Sequence, residues 1–158
     1  MITRENFPLK VDLLTRQIIN YKGTLLLLGG KYLEGEMKQR IFNRGLNSSE
    51  SPIGEYTSKW WKKKRDEKGN QIGYVDLEFT GDLRNSIQVV QENNSEVVLA
   101  IITDLEYNKA KGQELIQGKK SGGKSMDIFV PSEREEIETE IYISDLLNEK
   151  IDELISKL

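Results

Sequence analysis

Apolar residues recur at helical spacing near both ends of the chain and alternate with polar ones in its middle. Phe7, Val11, Leu14 and Ile18 make a first stripe, with Asn6 placed to cap a helix and Pro8 tolerable in its first turn. Gly23 interrupts that stripe, and Thr24 can cap a second helix whose apolar face runs Leu25, Leu28, Tyr32 or Leu33, Met37 and Ile41. Gly29-Gly30 lies inside this face. Each glycine costs roughly 1 kcal/mol against alanine, so the pair either admits a close helix contact or breaks the helix. The pattern predicts an end near Asn43-Arg44-Gly45. From Leu46 to Gly73 the periodicity vanishes and Asn, Ser, Gly, Pro, Lys and Glu dominate, which predicts a long loop.

The middle of the chain turns on Leu77-Glu78-Phe79-Thr80-Gly81-Asp82-Leu83-Arg84-Asn85-Ser86-Ile87. It reads as an extended entry stopping at Gly81, one helical turn placing Leu83 and Ile87 together, and a launch into Gln88-Val89-Val90. Gly81 can supply a positive φ and Thr80 a cap. Ile87–Gln91 and Val97–Thr103 are rich in β-branched residues around Asn93-Asn94-Ser95, which predicts an antiparallel hairpin. Leu105–Ile116 suits a short helix broken at Gly112, and Gln117–Ser125 an exposed Gly/Lys/Ser loop. Ile137, Thr139, Ile141 and Ile143 alternate with Glu138, Glu140 and Tyr142, the pattern of a strand with one acidic, wet face. Ser144 can cap a last helix carrying Leu147, Ile151, Leu154 and Leu158, with Glu153 and Lys157 placed for an i,i+4 pair. The order predicts a single α+β domain over 1–158. It has a helical part (1–45), a loop arm (46–73), and a sheet with a terminal helix (74–158), the sheet being antiparallel with three or four strands.

Composition narrows the chemistry. The 158 residues include no cysteine and no histidine, so disulfides, thiol nucleophiles, Cys/His metal sites and imidazole bases are excluded. The net charge of −3, with 31% charged residues, argues against a general nucleic-acid coat. Met1 to Asn6 lack the pattern of a signal peptide, and the longest apolar run, Leu25–Leu28, is too short for a bilayer; both point to a soluble, cytoplasmically made chain.

Three features could carry function. Gly118-Lys119-Lys120-Ser121-Gly122-Gly123-Lys124-Ser125 satisfies a P-loop pattern. Its flanks do not fit, because Glu114–Gln117 is too short and polar for a buried strand and Pro131 opposes a helix after Ser125. Asp76/Glu78 and Asp104/Glu106 are carboxylate pairs at i,i+2, each of which could hold a metal from one face of a strand, yet nothing supplies further ligands, and solvated strand edges are the expectation. Tyr56, Trp60 and Trp61 stand beside Lys62, Lys63, Lys64 and Arg65 in the long loop. They read either as a solvated charged loop or as a contact arm with aromatic anchors facing an acidic partner or DNA.

Several residues in order carry a family resemblance: Ile41-Phe42-Asn43-Arg44-Gly45, then Pro52 to Ser58, then Leu77, Thr80, Gly81, Leu83, Ser86 and Ile87 in the corner. Tyr107 and the run Phe129-Val130-Pro131-Ser132-Glu133 follow. Over roughly Leu25–Leu158 the chain resembles the neck and tail-completion proteins of tailed bacteriophages, the Mu G-like virion morphogenesis family. The resemblance implies a small α+β virion subunit, made in the host cytoplasm, that assembles as a homo-oligomeric ring in the neck. The ring is six- or twelve-fold, twelve favoured, and lies between a portal or adaptor ring and the tail. It implies no enzyme activity, no cofactor, no metal and no membrane partner, and a bore through which DNA passes without specific binding. A nucleic-acid-binding module built on Trp60–Arg65 is the alternative.

Overall fold

The computed structural model describes residues 7–78 and 80–157. The cap expected at Asn6, the side chains of Phe7 and Pro8, and residues Phe79 and Leu158 lie outside what it describes. The first two expected helices are one: α1 (Phe7–Lys38) runs 32 residues through all its glycines. Tertiary contact overrides their low propensity. A Cβ at Gly29 would lie 2.4 Å from Ile143 Cδ1, and one at Gly30 would lie 2.8 Å from Val97 Cγ1. A Cβ at Gly23 would stand 3.2 Å from Asn94 Oδ1. Gly23, Gly29 and Gly30 are therefore seats where the hairpin and α5 reach the α1 backbone, whereas Gly35 faces open space.

α1 passes into a wider π turn at Gln39–Asn43, closed by Arg44 N–H donating to Gln39 O at 3.1 Å. Such turns let neighbouring side chains share a face, and Arg40, Ile41 and Phe42 are all buried here. The remaining elements are α2 (Lys59–Asp66), α3 (Asp82–Ser86), β1 (Ile87–Asn93), β2 (Glu96–Ile101), α4 (Asp104–Lys120) and α5 (Glu133–Ser156). One buried cluster, including Met37, Ile41, Phe42, Ile53, Leu83 and Ile128, joins the end of α1 to the corner, α4 and the 126–129 segment.

The fold is α+β, with an antiparallel sheet of two strands rather than three or four. The hairpin forms as expected, pairing Ile87 with Ile101 and Val89 with Leu99 around the Asn94-Ser95 turn. The expected third strand at 137–143 is instead part of α5. Its alternation came from two helical stripes rather than two strand faces. Thr139 and Ile143, four apart, turn toward Gly29, while Ile137 and Ile141, also four apart, point outward at 50% and 56% exposure. The helix begins at Ser132, not Ser144. Ser132 Oγ accepts the Glu135 N–H at 3.2 Å and Glu135 Oε2 accepts the Ser132 N–H at 2.8 Å, a reciprocal capping box. The Glu153–Lys157 pair is present near its other end.

α5 runs antiparallel to α1. Tyr142 stacks on Tyr32 with centroids 4.6 Å apart, and the Lys150 ammonium sits 5.3 Å from the Tyr21 ring centre. At the other end Glu135, fully buried, meets Arg40, also fully buried, with Nε donating to Oε1 at 2.8 Å. The remaining guanidinium donors reach Leu46 O (3.1 Å), Ile128 O (3.2 Å) and Val130 O (2.7 Å). On another side of α1, Glu34 Oε2 accepts the Val89 N–H at 3.1 Å, so the helix caps the open edge of β1. Burial alone would raise the Glu34 pKa. The Lys31 and Lys38 hydrogen bonds and the Val89 N–H outweigh it and hold the carboxyl below its ordinary range.

α4 also runs farther than expected, through Gly112, from an N-cap at Thr103. Its buried Glu114 accepts the N–H groups of Ile128 (3.2 Å) and Phe129 (3.3 Å), which holds the 126–130 segment against the helix. Gly118 lies at the α4 end, where a Cβ would come 2.3 Å from the Ser125 carbonyl carbon.

Replacing Arg40 with Leu leaves the Glu135 carboxylate buried without its counter-charge. We expect chemical denaturation to show a loss of roughly 3–5 kcal/mol, and the Arg40→Leu, Glu135→Leu double variant to recover part of it. A loss below about 1 kcal/mol would show that the pair does not hold α5 to the π turn.

Candidate assembly surfaces

The long loop is not featureless. Ser58 caps α2, its Oγ accepting the Trp61 N–H at 3.3 Å, and the helix carries the aromatic and basic residues together. The basic run is divided by this geometry. Arg65 turns inward, its side chain 3% exposed, and donates to Asp76 Oδ2 at 2.7 Å. It also donates to Gln71 O at 2.8 Å and to Glu78 O. Its guanidinium stacks 4.5 Å over the Tyr56 ring, and the Tyr56 hydroxyl donates to Asp76 Oδ1 at 2.9 Å. Gln71 completes the node, its amide N–H reaching Asp76 Oδ2 at 2.6 Å. Burial, then the Asp76 charge, pushes the Tyr56 pKa well above its ordinary value, so the phenol stays protonated. Tyr56 and Arg65, expected on a contact surface, are instead the mooring of the arm.

What remains outside is a compact patch. Trp60 is 61% exposed and Trp61 42%, and the two rings meet edge to face at 5.1 Å. Lys63 and Lys64 are exposed and lean on a single carboxylate, Glu67, at 4.0 and 3.2 Å. Lys62 is half-buried. Trp61 has an inner side as well: with Leu77, Thr80, Gly81 and Leu83 it lines an open cavity of about 580 Å³. The arm and the corner residues, widely separated in sequence, thus meet.

The corner is built much as its sequence requires. Gly81 sits at φ +83°, a left-handed value that glycine takes without penalty, and α3 follows. Thr80 does not cap the backbone; its hydroxyl donates to the Asp82 carboxylate at 2.6 Å. Leu83, Ser86 and Ile87 are buried, and the Ser86 hydroxyl donates to Leu83 O at 2.7 Å. Leu77 carries a positive φ of 55°, a costly value for a branched residue, held here between the Arg65 node and the corner. Tyr107 and Phe129 line a second cavity of about 330 Å³ with Ile87 and Leu99. Pro131 directly precedes the Ser132 cap.

The other chemical candidates change character. α4 runs through Gly118 to Lys120, so a helix leads into the P-loop-like run where a nucleotide site needs a strand, and residues 126–131 form no helix. Asp76 is a buried ion-pair partner rather than a solvated strand edge, Glu78 pairs with Arg84 at 3.2 Å, and Glu106 is buried and paired with Lys109 at 2.5 Å. Among the described residues, no cluster of three or more acidic side chains is arranged to hold a metal, and no helix is long and apolar enough to cross a membrane.

A surface that the strand reading concealed lies on α5. Ile137, Ile141 and Ile155 are exposed at 50%, 56% and 52%. Their spacing puts them on one helical face with Ser144 and Asn148, a charge-free stripe bordered by the exposed Glu133, Glu140, Asp145 and Asp152. The 4-3-4-3-4 spacing from 137 through 141, 144, 148 and 151 to 155 is the signal that separates it from a strand. No family model, curated protein or solved structure matches the chain.

The inward and outward parts of the basic run should respond differently to substitution. Arg65→Met strands the buried Asp76 and should cost roughly 3–5 kcal/mol in chemical denaturation, whereas Lys63→Ala should stay within about 0.5 kcal/mol. Equal effects would contradict the division.

Proposed function

We propose that this chain is a structural subunit of a tailed-phage neck. In this reading it assembles as a homo-oligomeric ring, twelve-fold in preference to six-fold, between a portal or adaptor ring and the tail, and leaves a bore for DNA. One observation carries the reading. Among the exposed apolar residues described, Trp60 with Trp61 on α2 and the Ile137/Ile141/Ile155 stripe on α5 form two separate groups, and they differ in the charge beside them. A closed ring repeats one heterologous contact and so needs two unlike, complementary patches on every subunit. The Thr80–Ile87 corner adds support, because the residues that carry the family resemblance form a turn that buries Leu83, Ser86 and Ile87 and leads into the hairpin. The net charge of −3 suits a conduit, since phosphate-gripping cations would retard DNA passage.

In this role the chain does no bond chemistry. Its work is to present one face to the portal side and another to the tail while the subunit contact closes the circle. Subunits of this kind can stay monomeric until a partner ring templates them, so the test includes that partner. Size-exclusion chromatography with light scattering, on the chain alone and with the portal ring, should show a discrete species of six or twelve copies in at least one sample. A monomer in both, with no co-migration, would contradict the assignment. Steeply salt-dependent binding to duplex DNA would favour a nucleic-acid module on α2 instead.

A further inference from the structure

We infer that the subunit contact of the ring is made by α2 of one copy docking on the outer stripe of α5 of the next; this rests on the ring reading above. The two surfaces are both apolar at the centre and differ in the charge beside it. On α2, Trp60 shares a helical face with Lys63 and Lys64, three and four residues on. On α5, Ile137 and Ile141 stand one turn apart and 50% and 56% exposed, with exposed carboxylates at Glu133 and Glu140 on their flank. A tryptophan flanked by the Lys63 and Lys64 ammonium groups faces an isoleucine stripe flanked by the Glu133 and Glu140 carboxylates.

Within one chain the two surfaces are committed to different supports. α2 is moored through Arg65 to Asp76 and the backbone at Gln71 and Glu78. α5 is fixed to α1 through Glu135, Tyr142 and Ile143. Both outer faces stay presented on fixed supports, and their opposite flanking charges match each other, so the occupant assigned to each is a second copy; the contact is then heterologous, as ring closure demands. Large aromatic side chains at the centre of an interface carry most of its affinity, while rim charges set approach and register. Trp60 is then the anchor and Lys63 and Lys64 the guides. Glu138 is a poor guide for this docking because Arg134 already engages it at 2.6 Å; Glu140 has no such neighbour among the described ion pairs and is exposed.

The chain contains no cysteine, so introduced thiols report contacts without background. Lys63→Cys and Glu140→Cys, made as separate single variants and mixed under mild oxidation with and without the portal ring, should give the crossed Lys63→Cys/Glu140→Cys dimer in excess of either self-linked dimer. The Lys63→Glu, Lys64→Glu variant should raise the concentration needed for assembly by roughly tenfold, the effect of one or two rim pairs, and Glu140→Lys in that background should recover much of it. Circular dichroism on each variant separates misfolding from lost contact. Rings that form while the crossed dimer is no more abundant than the self-linked ones would overturn this interface and leave the ring reading standing. Absence of both rings and crossed dimers would remove both. A fall in duplex DNA affinity in Lys63→Glu, Lys64→Glu with assembly unchanged would reassign α2 to nucleic acid.

Discussion

The buried pair of Arg40 and Glu135 is the constraint on which the rest of the structure depends. Both side chains are removed from water, so their charges persist inside only because every strong donor and acceptor has a partner. Glu135 divides its two oxygens between the Arg40 guanidinium and its own helix cap at Ser132. Arg40 spreads its donors over Leu46, Ile128 and Val130. Five chain segments thereby become mutually fixed: the π turn, the bend after it, the 128–130 segment, the cap and α5. Hydrophobic burial supplies the bulk of folding free energy, but it is non-directional. The ion pair sets where α5 starts and which of its faces meets α1.

That choice of face determines what is left outside. With Glu135, Thr139 and Ile143 turned toward α1, helical geometry leaves Ile137 and Ile141 facing out. The same logic holds for the arm. Once Arg65 is committed to Asp76, Trp60, Lys63 and Lys64 must lie on the outward side of α2. Each exposed apolar patch is thus the far side of an element tied down by a buried arginine–carboxylate pair. Two such nodes make two patches, and their collars carry opposite charge. Rigid mooring also lowers the entropic cost of docking, since neither surface must be ordered at the moment of contact.

Local chemistry made part of this legible in the sequence. The hairpin, with its Asn94-Ser95 turn, and the Gly81 corner are specified by β-branched runs and one left-handed glycine. α5 was the chief misreading. Ile137, Thr139, Ile141 and Ile143 are β-branched and alternate, and this short-range signal hid two interleaved stripes with a spacing of four. The Ser132-x-x-Glu135 capping box marked the true helix start. Gly23, Gly29 and Gly30 of α1 misled in the opposite direction, because their cost is offset by contacts with residues 59 to 114 positions away, which no local window contains. The partners of Arg40 and Arg65 were illegible for the same reason. A lysine-arginine run looks uniform in sequence, and only the position of Asp76 in space separates the structural cation from the exposed ones.

The central claim is that this chain closes into a ring by contact between unlike patches. An electron-microscopy reconstruction of a phage particle carrying the chain, at a resolution that separates helices, tests it most directly. The account predicts a closed ring of twelve copies at the head–tail junction, α2 of each subunit lying against α5 of its neighbour and an open bore on the axis. A single copy, a location away from the junction, or α2 lying against DNA while α5 stays solvent-exposed would contradict it.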